Sequence, residues 1–232
     1  MRQQLKLLTM SDIHAEQVRW LWEPYLPRGK ITIIQGDPGD GKTTFVLALA
    51  ALLTQGLPMP GGSAAAPPMN VIYQTAEDGL ADTIRPRLDV LGADCSRVLV
   101  IDESERELTL DDQRLAQAIR QTGAGLAVLD PIQAYLGNNV DMHRANEVRP
   151  IFKRLGPLAE QTGCAIVRGG HMNKMQGAKS AYRGLGSIDL RAAARSVLLV
   201  GHSKDDDDLR VVVHAKSSLA PEGPAILFSL DS

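Results

Sequence analysis

The sequence predicts an α/β fold: a doubly wound, mainly parallel sheet with helices on both faces and an antiparallel extension towards the C-terminus. Three observations carry this. Short apolar runs alternate with helical patterns between residues 31 and 168. The first helical pattern follows a glycine-rich loop that directly follows an apolar run. After Gly184 the alternation gives way to two strand runs joined by a short acidic turn. A parallel sheet needs a helical crossover between successive strands, which is what the alternation supplies.

In chain order, strands are expected at 31–35, 71–74, 98–101, 126–129 and 165–168, and helices at 42–54, 80–91, 111–121 and 145–161. In the fourth helix Val148, Ile151, Leu155 and Leu158 recur at helical spacing, so Pro150 and Pro157 should lie near its ends or kink it. A helical piece at 188–194 then leads to strands at 197–200 and 209–215. The four aspartates of "SKDDDD" between them read as a solvated hairpin turn, and a metal site is the weaker alternative. "GLPMPGGSAAAPPM", residues 56–69, is of low complexity and reads as a mobile surface loop.

A chain of 232 residues, 44% apolar, can bury a full core, and nothing demands a second domain: residues 1–232 are expected to form one, with 1–19 as an N-terminal arm. Lys and Arg number 25 against 27 acids, a formal charge of -2, so contact with nucleic acid would need a local basic surface. Cys95 and Cys164 have no metal or redox spacing, and "MRQQLKLLTMSDIHAEQ" lacks the pattern of a signal peptide. A reduced, cytoplasmic protein without a membrane segment is expected, since the longest apolar stretch, 45–53, is too short to span a bilayer.

The loop "GDPGDGKTT" comprises Gly36, Asp37, Pro38, Gly39, Asp40, Gly41, Lys42, Thr43 and Thr44, and satisfies G-x-x-x-x-G-K-[ST] between a strand and a helix. Glycines let successive backbone N–H groups turn inward around a polyphosphate, and the helix adds the positive end of its dipole. Lys42 is expected on the β- and γ-phosphates and the Thr43 hydroxyl on Mg²⁺, which makes ATP and Mg²⁺ the expected cofactors. A glycine-rich turn without a ligand would leave the lysine and threonines unexplained.

Hydrolysis also needs a placed metal and an activated water. "GLAVLDP" is an apolar strand ending in Asp130, the expected metal carboxylate, although an Asp before Pro could simply start a turn. "YQTAEDG" ends the second strand and puts Glu77 forward as general base; Asp78 fits the N-cap of the next helix. "CAIVRGGHMNK" places His171 at the tip of the fifth strand, where it could sense the γ-phosphate through a hydrogen bond.

This set, a P-loop, a Glu on the second strand, Asp130 and His171, resembles the RecA-like ATPases, and most closely the RepA-type hexameric replicative helicases. "WLWEPYLPRGKITIIQGDPGDGKTT" and "YRGLGSIDLRAAARSVLLV" carry the likeness most clearly. The resemblance implies a ring, expected to be a hexamer, with ATP between subunits, an arginine finger from the neighbour, and loops gripping single-stranded DNA. It gives Lys42 and Thr43 to phosphate and Mg²⁺, Glu77 to water activation, Asp130 to the metal and His171 to sensing. Arg195 in "RAAARSV" matches the finger, with Arg191 as competitor. Lys216 in "HAKSSLAP" matches a second trans-acting base, where related rings often add an Arg two residues on; here that residue is Ser218.

The channel loops of such rings would be 131–147, with His143 and Arg144, and 172–183, with Asn173, Lys174, Lys179 and Arg183. Beyond Tyr135 and Tyr182 neither loop has the aromatic interleaving of a stacking platform, so sequence-specific reading is not expected. The expected function is an ATP-driven motor on single-stranded DNA, a helicase in replication of a plasmid, phage or mobile element. Against DnaB-type helicases, which engage primase through an extra N-terminal domain, the resemblance covers the ATPase part alone, so either separate partners such as primase or replication-initiator proteins are expected, or the chain is a core cut from a longer protein. The alternatives are a RecA-like loader or regulatory ATPase without unwinding, a P-loop small-molecule kinase, and a nucleotide switch within a larger polypeptide.

Overall fold

The computed structural model describes residues 7–62, 65–110, 112–137, 140, 145–171, 194–206 and 208–230; of 145–149, 151, 152 and 171 it describes the backbone alone. Strands β1 (Trp20–Trp22) and β2 (Leu26–Pro27) form a small antiparallel pair. The main sheet follows: β3 (Ile31–Gly36), β4 (Val71–Thr75), β5 (Val98–Leu99), β6 (Leu126–Asp130), β7 (Ala165–His171), β8 (Ser196–His202), β9 (Leu209–Ser217) and β10 (Ile226–Ser229). Their spatial order is β10-β9-β8-β3-β7-β6-β4-β5. Strands β3 to β8 run parallel, and β9 and β10 pair antiparallel, as expected of the extension.

Helices α1 (Lys42–Gln55), α2 (Arg85–Val90), α3 (Gln113–Thr122) and α4 (Ala145–Thr162) provide the crossovers. Each central strand sends alternate residues to opposite faces. From β6, Leu126 and Val128 join one core with α1, α2 and the β1–β2 pair. Ala127 and Leu129 join the other with α3 and α4. Two buried faces explain the unbroken apolar runs of the central strands. Helix α1 buries Phe45, Val46, Leu47, Leu49, Ala50, Ala51 and Leu53, almost its whole circumference, because it lies between the sheet and the β1–β2 pair. It stops at Gly56, whose φ of 70° suits a residue without a Cβ.

Three points about the elements are sharpened. The strand at 98–101 shrinks to β5, at the sheet edge with one neighbour to hold it. Pro150 and Pro157 lie inside α4, not at its ends. Each removes one intrahelical bond, while Leu155 and Ala159 stay buried against the second core and hold the helix in place. Asp78 is not an N-cap: it belongs to the turn after β4, its N–H donating to Thr75 Oγ1 at 3.2 Å, and Gly79 precedes a helical stretch whose first turn, Leu80–Ile84, is a π-helix. Helix α3 is capped by Asp112, whose carboxylate accepts from the Arg114 N–H at 2.8 Å. The piece expected at 188–194 lies outside the described residues but for Ala194, which is buried.

The 56–69 loop is tied to the body at Met59, which is buried, and at Pro60, whose carbonyl accepts from Trp22 Nε1 at 2.8 Å. The described residues of the SKDDDD run, 203–206 and 208, lie between the antiparallel strands β8 and β9, with Ser203 N–H donating to the Leu209 carbonyl. No described helix is long and apolar enough to cross a membrane.

Candidate nucleotide site

The register of the sheet decides which side chains meet. Gly36 pairs with His171 across β3–β7, and Thr75 pairs with Asp130 across β4–β6. The carboxyl ends of β3, β4, β6 and β7 are therefore level, and the loops leaving them share one edge. In open α/β sheets this edge is where ligands bind.

The loop after β3 turns on Gly39 and Gly41, both with φ of 86°, a conformation that glycine adopts at little cost. Gly36 has no room for a side chain: a Cβ there would overlap the Val200 carbonyl and stand 2.9 Å from Asp40 Oδ2. Asp37, Pro38 and Gly39 face solvent, whereas Asp40 and Lys42 are buried. The Lys42 ammonium donates to the Asp37 carbonyl at 2.7 Å, folded back onto the loop it would leave to meet a phosphate. Burial lowers its pKa, and Asp40, Asp130, Asp37 and Glu77 oppose that shift. All four carboxylates thus lie within electrostatic reach of Lys42.

Thr43 Oγ1 donates to Asp130 Oδ2 at 3.4 Å, which brings the loop threonine and the strand-tip aspartate together as expected. Two hard oxygen donors side by side suit a small divalent cation that keeps part of its water shell. Asp130 owes its position to Gly169 on β7, since a Cβ at 169 would overlap Asp130 Oδ1. Glu77 lies two residues beyond the end of β4 and is exposed, close enough to act on the Lys42 charge. The backbone of His171 sits at the tip of β7 opposite Gly36, and its side chain is outside the described set.

Arg195 and Lys216 lie elsewhere. Arg195 N–H donates to the carbonyl of Ile31, the first residue of β3, and Arg195 is exposed at the amino edge of the sheet. Lys216 Nζ donates to the Ala194 carbonyl at 2.8 Å, and Ser218 N–H donates to the Arg195 carbonyl at 2.9 Å. The two bases are thus neighbours, separated from Gly36 by the length of β3, on the order of 17 Å.

Arg144, Lys174, Lys179 and Arg183, expected on DNA, lie outside the described residues, as do Tyr182, His143 and Asn173. Tyr135 is not a stacking platform: it is 1% exposed, in a 3-10 turn at Ile132–Tyr135 packed into the second core. Burial, first, and the charges of Glu103 and Asp130 raise its pKa far above that of an ordinary phenol.

Sequence reasoning did not single out Gly169 or His202. His202 ends β8 beside the loop, its Nε2 3.6 Å from Asp40 Oδ1. The strand-tip argument that selected His171 applies equally to His202. For Gly169, the pair of glycines before His171 was the available signal.

A profile of the AAA domain family matches residues 2–177. The chain belongs to the AAA domain family. This AAA domain is 29% identical over 152 residues to the DNA repair protein RadA of Halalkalibacterium halodurans, covering 65% of the chain and 29% of that protein. It is 27% identical over 149 residues to RadA of Bacillus subtilis, covering 63% and 29%. With RadA of Brucella abortus the figures are 30% over 155 residues, 63% and 29%. The AAA domain therefore spans less than a third of the length of these relatives. Its fold matches the solved structure of another protein's ATPase domain with a TM-score of 0.66 at 15% identity, over 87% of this chain and 82% of that one. It is a RecA-like P-loop ATPase fold.

Proposed function

We propose that the chain is an ATP-hydrolysing motor that assembles into a ring and moves along single-stranded DNA, in the manner of a replicative helicase. The observation that carries the catalytic half is the Thr43–Asp130 pair at 3.4 Å beside the buried Lys42. These residues fit Mg²⁺–ATP: backbone amides of the loop and Lys42 on the phosphates, Thr43 and Asp130 as oxygen donors to the ion. Mg²⁺ would neutralise charge on the transferring phosphoryl group. Glu77, exposed at the same edge, orients and deprotonates the attacking water, and His171 reports the γ-phosphate.

The oligomeric half is supported by the placement of Arg195 and Lys216. They neighbour each other at the sheet edge away from their own phosphate loop, so they suit a neighbour's γ-phosphate. A hexamer is the proposed ring. DNA as the track is supported by relatives that are DNA repair proteins, and primase or replication-initiator proteins are the proposed partners. Those same relatives favour a second reading, a RecA-like ATPase that serves repair without unwinding a duplex.

The test is the ATPase rate with and without single-stranded DNA, together with the mass of the assembly bound to a non-hydrolysable ATP analogue. Stimulation by DNA and a ring mass support the motor. Turnover indifferent to DNA selects a loader or regulator.

A further inference from the structure

Two acids stand inside a loop that has to accept a triphosphate. Asp37 is exposed to solvent, but Asp40 is buried between the loop and β8. A carboxylate there meets one of two penalties. Turned into the cradle, it adds negative charge where the ligand carries several, and repulsion at a few ångströms in a partly dry site is strong. Turned away, it is removed from water and needs partners. The structure takes the second course. Asp40 Oδ2 accepts the Asp37 N–H at 2.5 Å, in space left by the missing side chain of Gly36. Asp40 Oδ1 faces His202 Nε2 at 3.6 Å, too long for a hydrogen bond but within ion-pair reach. Lys42 also feels the Asp40 charge, yet its ammonium is the group that would move to phosphate, which leaves His202 as the side chain that stays beside Asp40, with the Asp37 amide.

We propose that His202 is a positioning residue of the phosphate loop: from the tip of β8 it holds the Asp40 carboxylate against the Asp37 amide and out of the space the triphosphate enters. This rests on the reading of the loop as an ATP site. Without His202, Asp40 is short of one partner and swings towards the ligand. The loss therefore appears in affinity for ATP, and it requires the charge on Asp40.

The experiment measures the Kd of a fluorescent ATP analogue with Mg²⁺, and steady-state ATPase kinetics, for the full chain and four variants. His202→Ala is expected to weaken binding about tenfold and to raise KM far more than it lowers kcat. In the Asp40→Asn background, the same His202→Ala change is expected to alter affinity less than about twofold, because the charge that needed holding is gone. His202→Lys, which places an ammonium at the tip of β8 within reach of Asp40, should stay within about threefold of the unchanged protein. An equal loss in both backgrounds, a His202→Lys variant as weak as His202→Ala, or unchanged affinity in His202→Ala would overturn the proposal while leaving the ATP site intact. If the unchanged protein binds no nucleotide, the ATP site itself falls, and the role of His202 with it.

Discussion

Asp130 lies where a side chain on Gly169 would have to be, and from that place its Oδ2 meets the Thr43 hydroxyl at 3.4 Å. One strand thus sets the proposed metal carboxylate of its neighbour by withholding a Cβ. Gly169→Ala should push Asp130 off Thr43. A misplacement of about 1 Å at a reacting centre costs on the order of 10²-fold in rate, so Mg²⁺-dependent ATP turnover should fall by about that factor. Binding of the nucleotide measured in EDTA should change little, because the amide cradle and Lys42 are untouched. Turnover in Gly169→Ala within a few-fold of the unchanged protein would mean that Asp130 is not the metal carboxylate.

The distance between the two ends of β3 leads to a complementation experiment. Arg195 stands at one end and the phosphate loop at the other, so in the proposed ring a finger and a base acting on one ATP would come from different subunits. Arg195→Ala and Glu77→Gln should each lose about 10²-fold or more alone. Mixed in varying ratio, they should recover part of the activity, since some interfaces then pair an intact Arg195 with an intact Glu77. Inactive mixtures at every ratio would place both residues in the same subunit's site.

Cys164, just before β7, supplies a pH prediction. Burial pushes its thiol up to about 12, with Arg28 pulling weakly the other way, whereas an unfolded thiol titrates near 9.0. Below pH 9.0 both states hold the proton and the stabilisation is complete. Above it the unfolded chain releases the proton first, so stability drains away until the folded thiol ionises near 12. The slope is about 1.4 kcal/mol per pH unit. Denaturant unfolding between pH 9 and 11 should show Cys164→Ala losing less stability with pH than the unchanged protein. Parallel pH profiles would show that the thiol is not held neutral by burial.

Much of this arrangement was legible in the residues. The phosphate loop carries its own punctuation in Gly36, Gly39, Gly41 and Lys42, and Asp130 ends a run so apolar that it had to be a central strand. The edge strand β10 was not legible, because Ile226–Ser229 is too short to show alternation and exists by pairing with β9. Helix α4 was legible despite its two prolines, because the apolar spacing that includes Leu155 reflects tertiary burial that outweighs local helix propensity. The burial of Tyr135 was not legible either: nothing local marks an aromatic in a loop as interior, and only packing against the second core shows it. His202 escaped notice because its partner, Asp40, is 162 positions earlier in the chain, a separation that only the sheet order closes.

The most direct test of the whole account is the rate of Mg²⁺-dependent ATP hydrolysis by Lys42→Ala beside that of the unchanged chain. Lys42 is the one cation buried within the loop, within electrostatic reach of four carboxylates and donating to the Asp37 carbonyl that it would leave to meet a phosphate. The account predicts turnover by the unchanged chain and its loss, by about 10²-fold or more, in the variant. Equal rates in the two proteins would contradict it.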